Sequence, residues 1–189
     1  MPDEWTKKRA TIRHYNETAT TYNILYKEEQ EQKIREILKH VSINDSDVIL
    51  DAGCGSGFLN EHVQKQASHI VGVDLSKGLL RIAVSRIRQA GMKNVSLVQA
   101  DVDYLPFKEQ IFDEAFALTV LQDSSFYSVM LKELMRTTKN NAKVIITGLK
   151  KTFSEQSFKR ALKEQRLNPR ILETSEKLRD IIAVCRKGA

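Results

Sequence analysis

The residues Val48 to Gly57 combine an apolar run, an acid and three alternating glycines: Val-Ile-Leu-Asp51-Ala52-Gly53-Cys54-Gly55-Ser-Gly57. This pattern reads as a buried strand emptying into a tight loop ahead of a helix, the kind of loop that holds a cofactor. Glycine lacks a Cβ and adopts positive φ, so such a backbone can turn sharply and approach a ligand closely. A dinucleotide fingerprint requires Gly-x-Gly-x-x-Gly. Here the spacing is Gly-x-Gly-x-Gly, with an acid two residues before the first glycine.

Further along, Val-Gly-Val-Asp74-Leu75-Ser, Gln-Ala-Asp101-Val102-Asp-Tyr-Leu-Pro-Phe and Phe-Asp-Glu-Ala-Phe-Ala-Leu-Thr119-Val120 each close an apolar run on a polar residue. In an open parallel sheet, ligands bind beyond the carboxyl ends of the strands, where the strand order reverses. Asp74 is placed to accept two hydrogen bonds from a ribose diol, and charge-assisted bonds of that kind are the strong ones. Asp101 with Val102 suits an adenine amino group under apolar cover. Any one such acid is commonly a helix cap or a turn, but three at successive strand ends point to a nucleoside-bearing ligand.

The elements that must carry these residues follow from periodicity. Tyr15, Ala19, Tyr22 and Tyr26 fall at helical spacing, as do Ile34, Ile37, Leu38 and Val41, so the first forty residues read as two helices. Strands are expected at Val48 to Asp51, His69 to Asp74, Val95 to Gln99, Phe112 to Thr119 and Lys143 to Thr147. Helices are expected at Phe58 to Gln66, from a Ser76 cap to Gly91, around Phe126 to Leu134, and from Ser154 to Gln165. Two last strands, near Arg170 to Leu172 and at Asp180 to Cys185, stand too close for a helical crossover and should form an antiparallel hairpin. The alternation predicts an α/β fold: one Rossmann-like, doubly wound sheet, mostly parallel, with helices on both faces. We expect one domain, residues 1–43 forming a helical cap and 44–189 the core.

With the four motifs in order and properly spaced, the chain resembles the class I S-adenosylmethionine-dependent methyltransferases, of the small type 11 and archaeal kind. The resemblance covers most of the chain from Val48 onward. It implies a seven-stranded sheet whose last strand inserts antiparallel, S-adenosylmethionine as cofactor, and a glycine loop beneath the methionine moiety. It implies Asp74 on the ribose hydroxyls, Asp101 and Val102 at the adenine, and Thr119 to Gln122 near the methyl group. S-adenosylmethionine has no phosphate, so its loop need not form the helix-terminus cradle a pyrophosphate favours. Its cationic sulfonium and ammonium match a pocket rich in acids. The remaining classes are a catalytically silent binding module, which the intact acids and glycines argue against, and a nicotinamide oxidoreductase, which the glycine spacing argues against.

Methyl transfer is an in-line displacement, and holding the reactants collinear in a dry site can suffice without a dedicated base. Tyr22 is the expected lid residue, with His14 and Asp123 as conceivable proton acceptors; packing, surface exposure and helix capping are their ordinary alternatives. His40, His62 and His69 lack metal-ligand spacing, and no metal is expected. The segment Thr119-Val-Leu-Gln-Asp123-Ser lacks the Asn/Asp-Pro-Pro-Tyr/Phe motif of relatives that methylate planar amines.

The 189 residues carry a net charge of +6, with basic clusters at Lys7, Lys8, Arg9 and Arg13 and from Lys150 to Arg170. A basic rim beside an open site is compatible with a macromolecular acceptor, RNA or a translation protein; a small-molecule acceptor is the alternative. Some small relatives of the translation apparatus work with a zinc-ribbon activator, and the uncharged third strand, Val95 to Gln99, is the edge where one would pair. Cys54 and Cys185 suggest neither a disulfide nor a zinc site. No apolar run reaches membrane-spanning length and the first residues lack a signal peptide's apolar core, so a cytoplasmic enzyme is expected.

Overall fold

The computed structural model describes residues 4–122, 124, 127–176 and 178–187. Two helices, α1 (Glu4–Leu25) and α2 (Lys27–Leu38), precede β1 (Val48–Ala52), α3 (Phe58–Val63), β2 (His69–Asp74), α4 (Lys77–Gln89) and β3 (Val95–Gln99). There follow β4 (Phe112–Ala117), α5 (Tyr127–Thr137), β5 (Thr138–Leu149), α6 (Glu155–Glu164), β6 (Leu167–Ile171) and β7 (Asp180–Lys187). The strands form one seven-stranded sheet in the order β3-β2-β1-β4-β5-β7-β6. Only β7 runs antiparallel to its neighbours, Ile146 facing Ala183 on one side and Ile171 facing Ala183 on the other.

Alternate residues of each strand feed opposite faces. On one face Ile34 and Ile37 of α2 with Phe58 and Val63 of α3 pack on Ile49, Ile70 and Phe116. On the other, Met130 and Leu134 of α5 with Phe158 and Leu162 of α6 pack on Leu50, Ala115 and Val144. The strand order reverses between β1 and β4, so the loops leaving these neighbours diverge and open a crevice at their carboxyl ends.

Several boundaries differ from the sequence pattern for physical reasons. Tyr26, with φ −102° and ψ 0°, sits at the break between α1 and α2 and not inside the first helix. Val41 is buried beyond the end of α2. β4 stops pairing at Ala117 because Thr119 takes φ 58°. β5 begins at Thr138, earlier than expected, because its first residues are polar and pair with β4 across an irregularity between Phe112 and Glu114. α3 ends at Val63, three residues before Gln66. Phe126 lies outside the described residues.

α1 buries little of its own surface, yet it docks closely on the start of α4. Asn16 Oδ1 accepts from the Gly78 backbone N–H at 2.8 Å and from Ser76 Oγ at 2.9 Å, and Arg86 Nη2 donates to Asn23 Oδ1 at 2.7 Å. A Cβ on Gly78 would stand 3.0 Å from the Asn16 Cα. Gly78→Leu should therefore lift α1 from the body while the sheet remains folded. Amide exchange across Glu4–Leu25 should accelerate by at least about tenfold with β1 and β4 protected as before; unchanged exchange in α1 would contradict this docking.

Candidate functional site

The carboxyl ends of β1, β2 and β4, the loop after β3 and the inner face of α1 enclose the main cleft. Its floor comes from Gly53, Gly55, Asp74, Leu75, Thr119 and Val120, with Asp101 and Val102 at one end. Lys8, Ile12, Tyr15 and Tyr22, spaced along one side of α1, form its roof.

Asp74 organises the floor. Its Oδ2 accepts from the Gly55 backbone N–H at 2.8 Å and its Oδ1 from the Ser76 N–H at 2.7 Å, tying the glycine loop to the start of α4. The three glycines have different causes. A Cβ on Gly53 would strike Val120 at 2.8 Å, and one on Gly57 would meet Asn60 and Ala83 at 3.0 and 3.2 Å. Only at Gly55, φ 54°, is the space beyond largely open, and there the glycine serves the cleft.

Asp51 lies under this loop, 3% exposed, with Oδ2 lacking a hydrogen-bond partner. It lines a small adjoining hollow with Tyr22, Gln30, Gly53 and Cys54. Burial, and then the charge of Asp74, push its carboxyl up from 3.8 to about 7. Ala52 is fully buried, and Gly57, φ 81°, caps α3 facing away from the cleft. Burial and the two neighbouring acids hold the Cys54 thiol in its protonated form, and burial pushes Cys185 up to about 12, so both cysteines are inert packing groups.

At the Asp101 end of the cleft the structure adds a residue the sequence named only as part of a basic cluster. Lys8 Nζ lies 2.7 Å from Asp101 Oδ2 and 2.7 Å from Asp103 Oδ2, and its side chain is 6% exposed. Asp101 Oδ1 accepts from the Asp103 N–H at 3.0 Å. A lysine on a weakly amphipathic helix carries no signal of this inward turn.

A second cleft adjoins the first, and Tyr15, Tyr22 and Thr119 line both. Tyr22 packs between the rings of Tyr15 and Tyr26, at centroid distances of 5.7 and 4.7 Å. Beneath the seam, fully buried Lys33 contacts Thr119 Oγ1, Gln30 Oε1 at 3.4 Å and Asp180 Oδ2 at 2.6 Å. The contact with Asp180 is an ion pair whose angles fall outside hydrogen-bond geometry. Gln30 Nε2 also donates to Thr119 Oγ1 at 3.3 Å and lies 3.5 Å from Tyr22 Oη. A β-branched residue at positive φ is strained by of order 1–3 kcal/mol. Thr119 is held there from every side, because its N–H donates to Thr147 Oγ1 at 2.8 Å and its carbonyl accepts from Gln122 Nε2 at 2.7 Å.

Of the expected proton acceptors, His14 is exposed on α1 with its ring against Tyr15, and Asp123 lies outside the described residues. Among the described residues no cluster of His, Cys, Asp and Glu could hold a metal ion. No helix of the described residues is long and apolar enough to cross a membrane.

A Rossmann-like seven-stranded sheet with a single inserted antiparallel strand, and acids at the switch-point crevice, define a class I S-adenosylmethionine-dependent methyltransferase. Residues 50–146 match the family model described as a methyltransferase domain, and the chain belongs to that family. It is 29% identical over 142 residues to malonyl-[acyl-carrier protein] O-methyltransferase of Erwinia pyrifoliae, covering 75% of this chain and 52% of that protein. It spans about half the length of the curated relatives it matches. Magnesium protoporphyrin IX methyltransferase of Synechocystis PCC 6803, solved with S-adenosylmethionine bound, superposes with a TM-score of 0.80 at 18% identity, covering 100% of this chain and 99% of that one. A putative methyltransferase in complex with the Haloferax volcanii Trm112 activator superposes at 0.78 with 13% identity, covering 93% and 98%. S-adenosylmethionine is the cofactor of the class.

The unpartnered Asp51 oxygen is a feature the cofactor's cationic ammonium fits. In the free protein, a carboxyl raised from 3.8 to about 7 stabilises the fold in its protonated form. That contribution is complete below pH 4 and is lost as pH rises through 7, a change of about 4 kcal/mol at 1.36 kcal/mol per pH unit. Asp51→Asn should match the wild type in urea unfolding near pH 4 and exceed it by up to about 4 kcal/mol at pH 8. Equal stabilities at pH 8 would show that Asp51 ionises without penalty.

Proposed function

We propose that the protein transfers the methyl group of S-adenosylmethionine to a small-molecule acceptor seated in the second cleft. The observation that carries this reading is the junction of two clefts at Tyr15, Tyr22 and Thr119: one lined by acids and a glycine loop, the other by the tyrosines, Gln122 and two lysines. The cofactor supplies a methyl carbon on a cationic sulfonium; the acceptor's lone pair forms the new bond while the carbon–sulfur pair returns to sulfur, leaving S-adenosylhomocysteine.

In this reading Asp74 and Leu75 meet the ribose, and Asp101 with Val102 the adenine. Gly53, Cys54 and Gly55 support the methionine tail, with Asp51 beneath its ammonium and Thr119 with Val120 beside the methyl group. Ala52 and Gly57 shape the loop from behind. Tyr22 closes the roof over the reacting atoms, and residues 1–43 act as a cap on a single 44–189 core. His14 faces away, which speaks against a role in proton transfer.

The acceptor is read as small because the second cleft is lined by a compact set of side chains, and because the names of the relatives specify a malonyl group carried on an acyl-carrier protein and a magnesium porphyrin. RNA has less behind it, since the basic clusters do not converge: Lys8 turns inward and Lys159 pairs with Glu155. A cytoplasmic enzyme is the matching setting. The outer edge of β3, which pairs only with β2 among the described residues, is the surface we assign to an activator of the zinc-ribbon kind. A monomeric chain that binds cofactor fully alone would remove that assignment.

Calorimetry should show S-adenosylmethionine binding and no NAD binding, with Asp74→Asn weakening the former by about 1–3 kcal/mol. Tight NAD binding alone would overturn the reading. With labelled cofactor and fractionated cell extract, label should enter small metabolites; label confined to RNA or to protein would overturn the acceptor class.

A further inference from the structure

The second cleft carries groups of four kinds in a definite arrangement. Its wall is the tyrosine stack of Tyr15, Tyr22 and Tyr26, where edge and tilted ring contacts leave apolar surface for a further ring. Its floor is Thr119. A hydroxyl has one hydrogen to donate and two lone pairs. Thr119 Oγ1 accepts from both Lys33 Nζ and Gln30 Nε2, so its lone pairs are engaged and its hydrogen is directed to a further acceptor. The ammonium of Lys33 polarises that O–H and strengthens it as a donor.

Beside it, Gln122 Oε1 is buried and unpartnered among the described residues, while Nε2 of the same amide donates to the Thr119 carbonyl at 2.7 Å. That bond distinguishes the two ends of the amide of a residue that lines the cleft. The floor thus offers one donor and one acceptor side by side, the complement of a hydroxyl group. A buried acceptor with no donor carries a desolvation penalty that a ligand hydroxyl would relieve.

At the mouth stand Lys150, Lys151 and Arg179 against Glu29 and Glu176, three cations to two acids. Arg179 lies 3.5 Å from Glu29. Lys150 and Lys151 are exposed and have no ion pair among the described residues. The cation excess is therefore concentrated on the two adjacent lysines, which line the same cleft as Thr119.

We propose that this cleft selects an aromatic acceptor bearing a hydroxyl that docks between Thr119 and Gln122, with a carboxylate facing Lys150 and Lys151. The ring lies against the tyrosine stack. The proposal rests on the methyltransferase reading above and adds to it the chemical class of the acceptor. Thr119 and Gln122 are specificity residues, and Lys33 a positioning residue that acts through Thr119.

The test uses para-hydroxycinnamate as probe and its neutral methyl ester as control, each titrated by calorimetry into protein saturated with S-adenosylhomocysteine. The acid should bind, and Lys150→Glu/Lys151→Glu should weaken it roughly tenfold, the scale of two partly solvated charge contacts. The same double variant should leave the ester unchanged, and Gln122→Leu should weaken both several-fold. Absence of saturable binding, an unchanged affinity for the acid in the double variant, or equal weakening of acid and ester would overturn the proposal. S-adenosylhomocysteine binding, measured first in every variant, separates the two levels. If it is intact, such a failure concerns the acceptor alone; if the wild type does not bind it, both readings fall.

Discussion

A lysine ammonium removed from water must be met by charge and hydrogen-bond partners, or the fold bears a penalty of several kcal/mol. Lys33 is fully buried, and the groups that meet it come from three separate parts of the chain: Gln30 of α2, Thr119 after β4 and Asp180 at the start of β7. This requirement locks α2 against the carboxyl end of the sheet. Through Gln30 it also orients the Tyr22 hydroxyl of α1 and fixes a strained Thr119 at the corner where the two clefts meet. The site's geometry is thus set from beneath by an ion pair that touches neither cleft's contents directly.

The opposite electrostatic situation prevails at the glycine loop. Asp74 is satisfied by the backbone amides of Gly55 and Ser76, whereas Asp51 is buried beside it with one oxygen unmet. Two neighbouring acids with one unsatisfied make a local field that favours a cation. One crevice therefore contains a cation held by its partners under Thr119 and an excess of acid under the loop. A ligand bearing a sulfonium and an ammonium is matched to the second, and an acceptor's polar group to the first.

Legibility in the sequence followed the physical origin of each feature. β2 and β3 were readable to the residue because their apolar runs end abruptly in polar turns, and the α4 cap because Ser76 Oγ accepts from the Leu79 N–H at 3.1 Å. The polar start of β5 was not, since Thr138 and Lys139 join the sheet through pairing alone. In the same way Asp51, Asp74, Asp101 and Thr119 announced themselves near strand ends, and the structure gathers the last three around one crevice with Asp51 in an adjoining hollow. Lys8, Lys33, Gln30 and Asp180 did not, because nothing local distinguishes a lysine that turns inward from one that reaches solvent. Their distant partners lie 86 or more residues away along the chain, and only the tertiary fold brings them together. Gly53 shows the converse: the spacing marked it for a ligand, and the structure assigns its missing Cβ to the approach of Val120.

The basic residues show why a charge run is a poor guide to a partner. Read along the chain, Lys7 to Arg13 and Lys150 to Arg170 suggest a rim for a polyanion. In three dimensions Lys8 pairs with both Asp101 and Asp103, Lys159 pairs with Glu155, and Lys150 and Lys151 line a cleft that Glu29 and Glu176 also line. A phosphate backbone is bound by many cations along a continuous track, each releasing counterions. Acids beside Lys150 and Lys151 would repel successive phosphates. The same pair suits one carboxylate on a compact ligand, because a single anion samples only the local excess of charge.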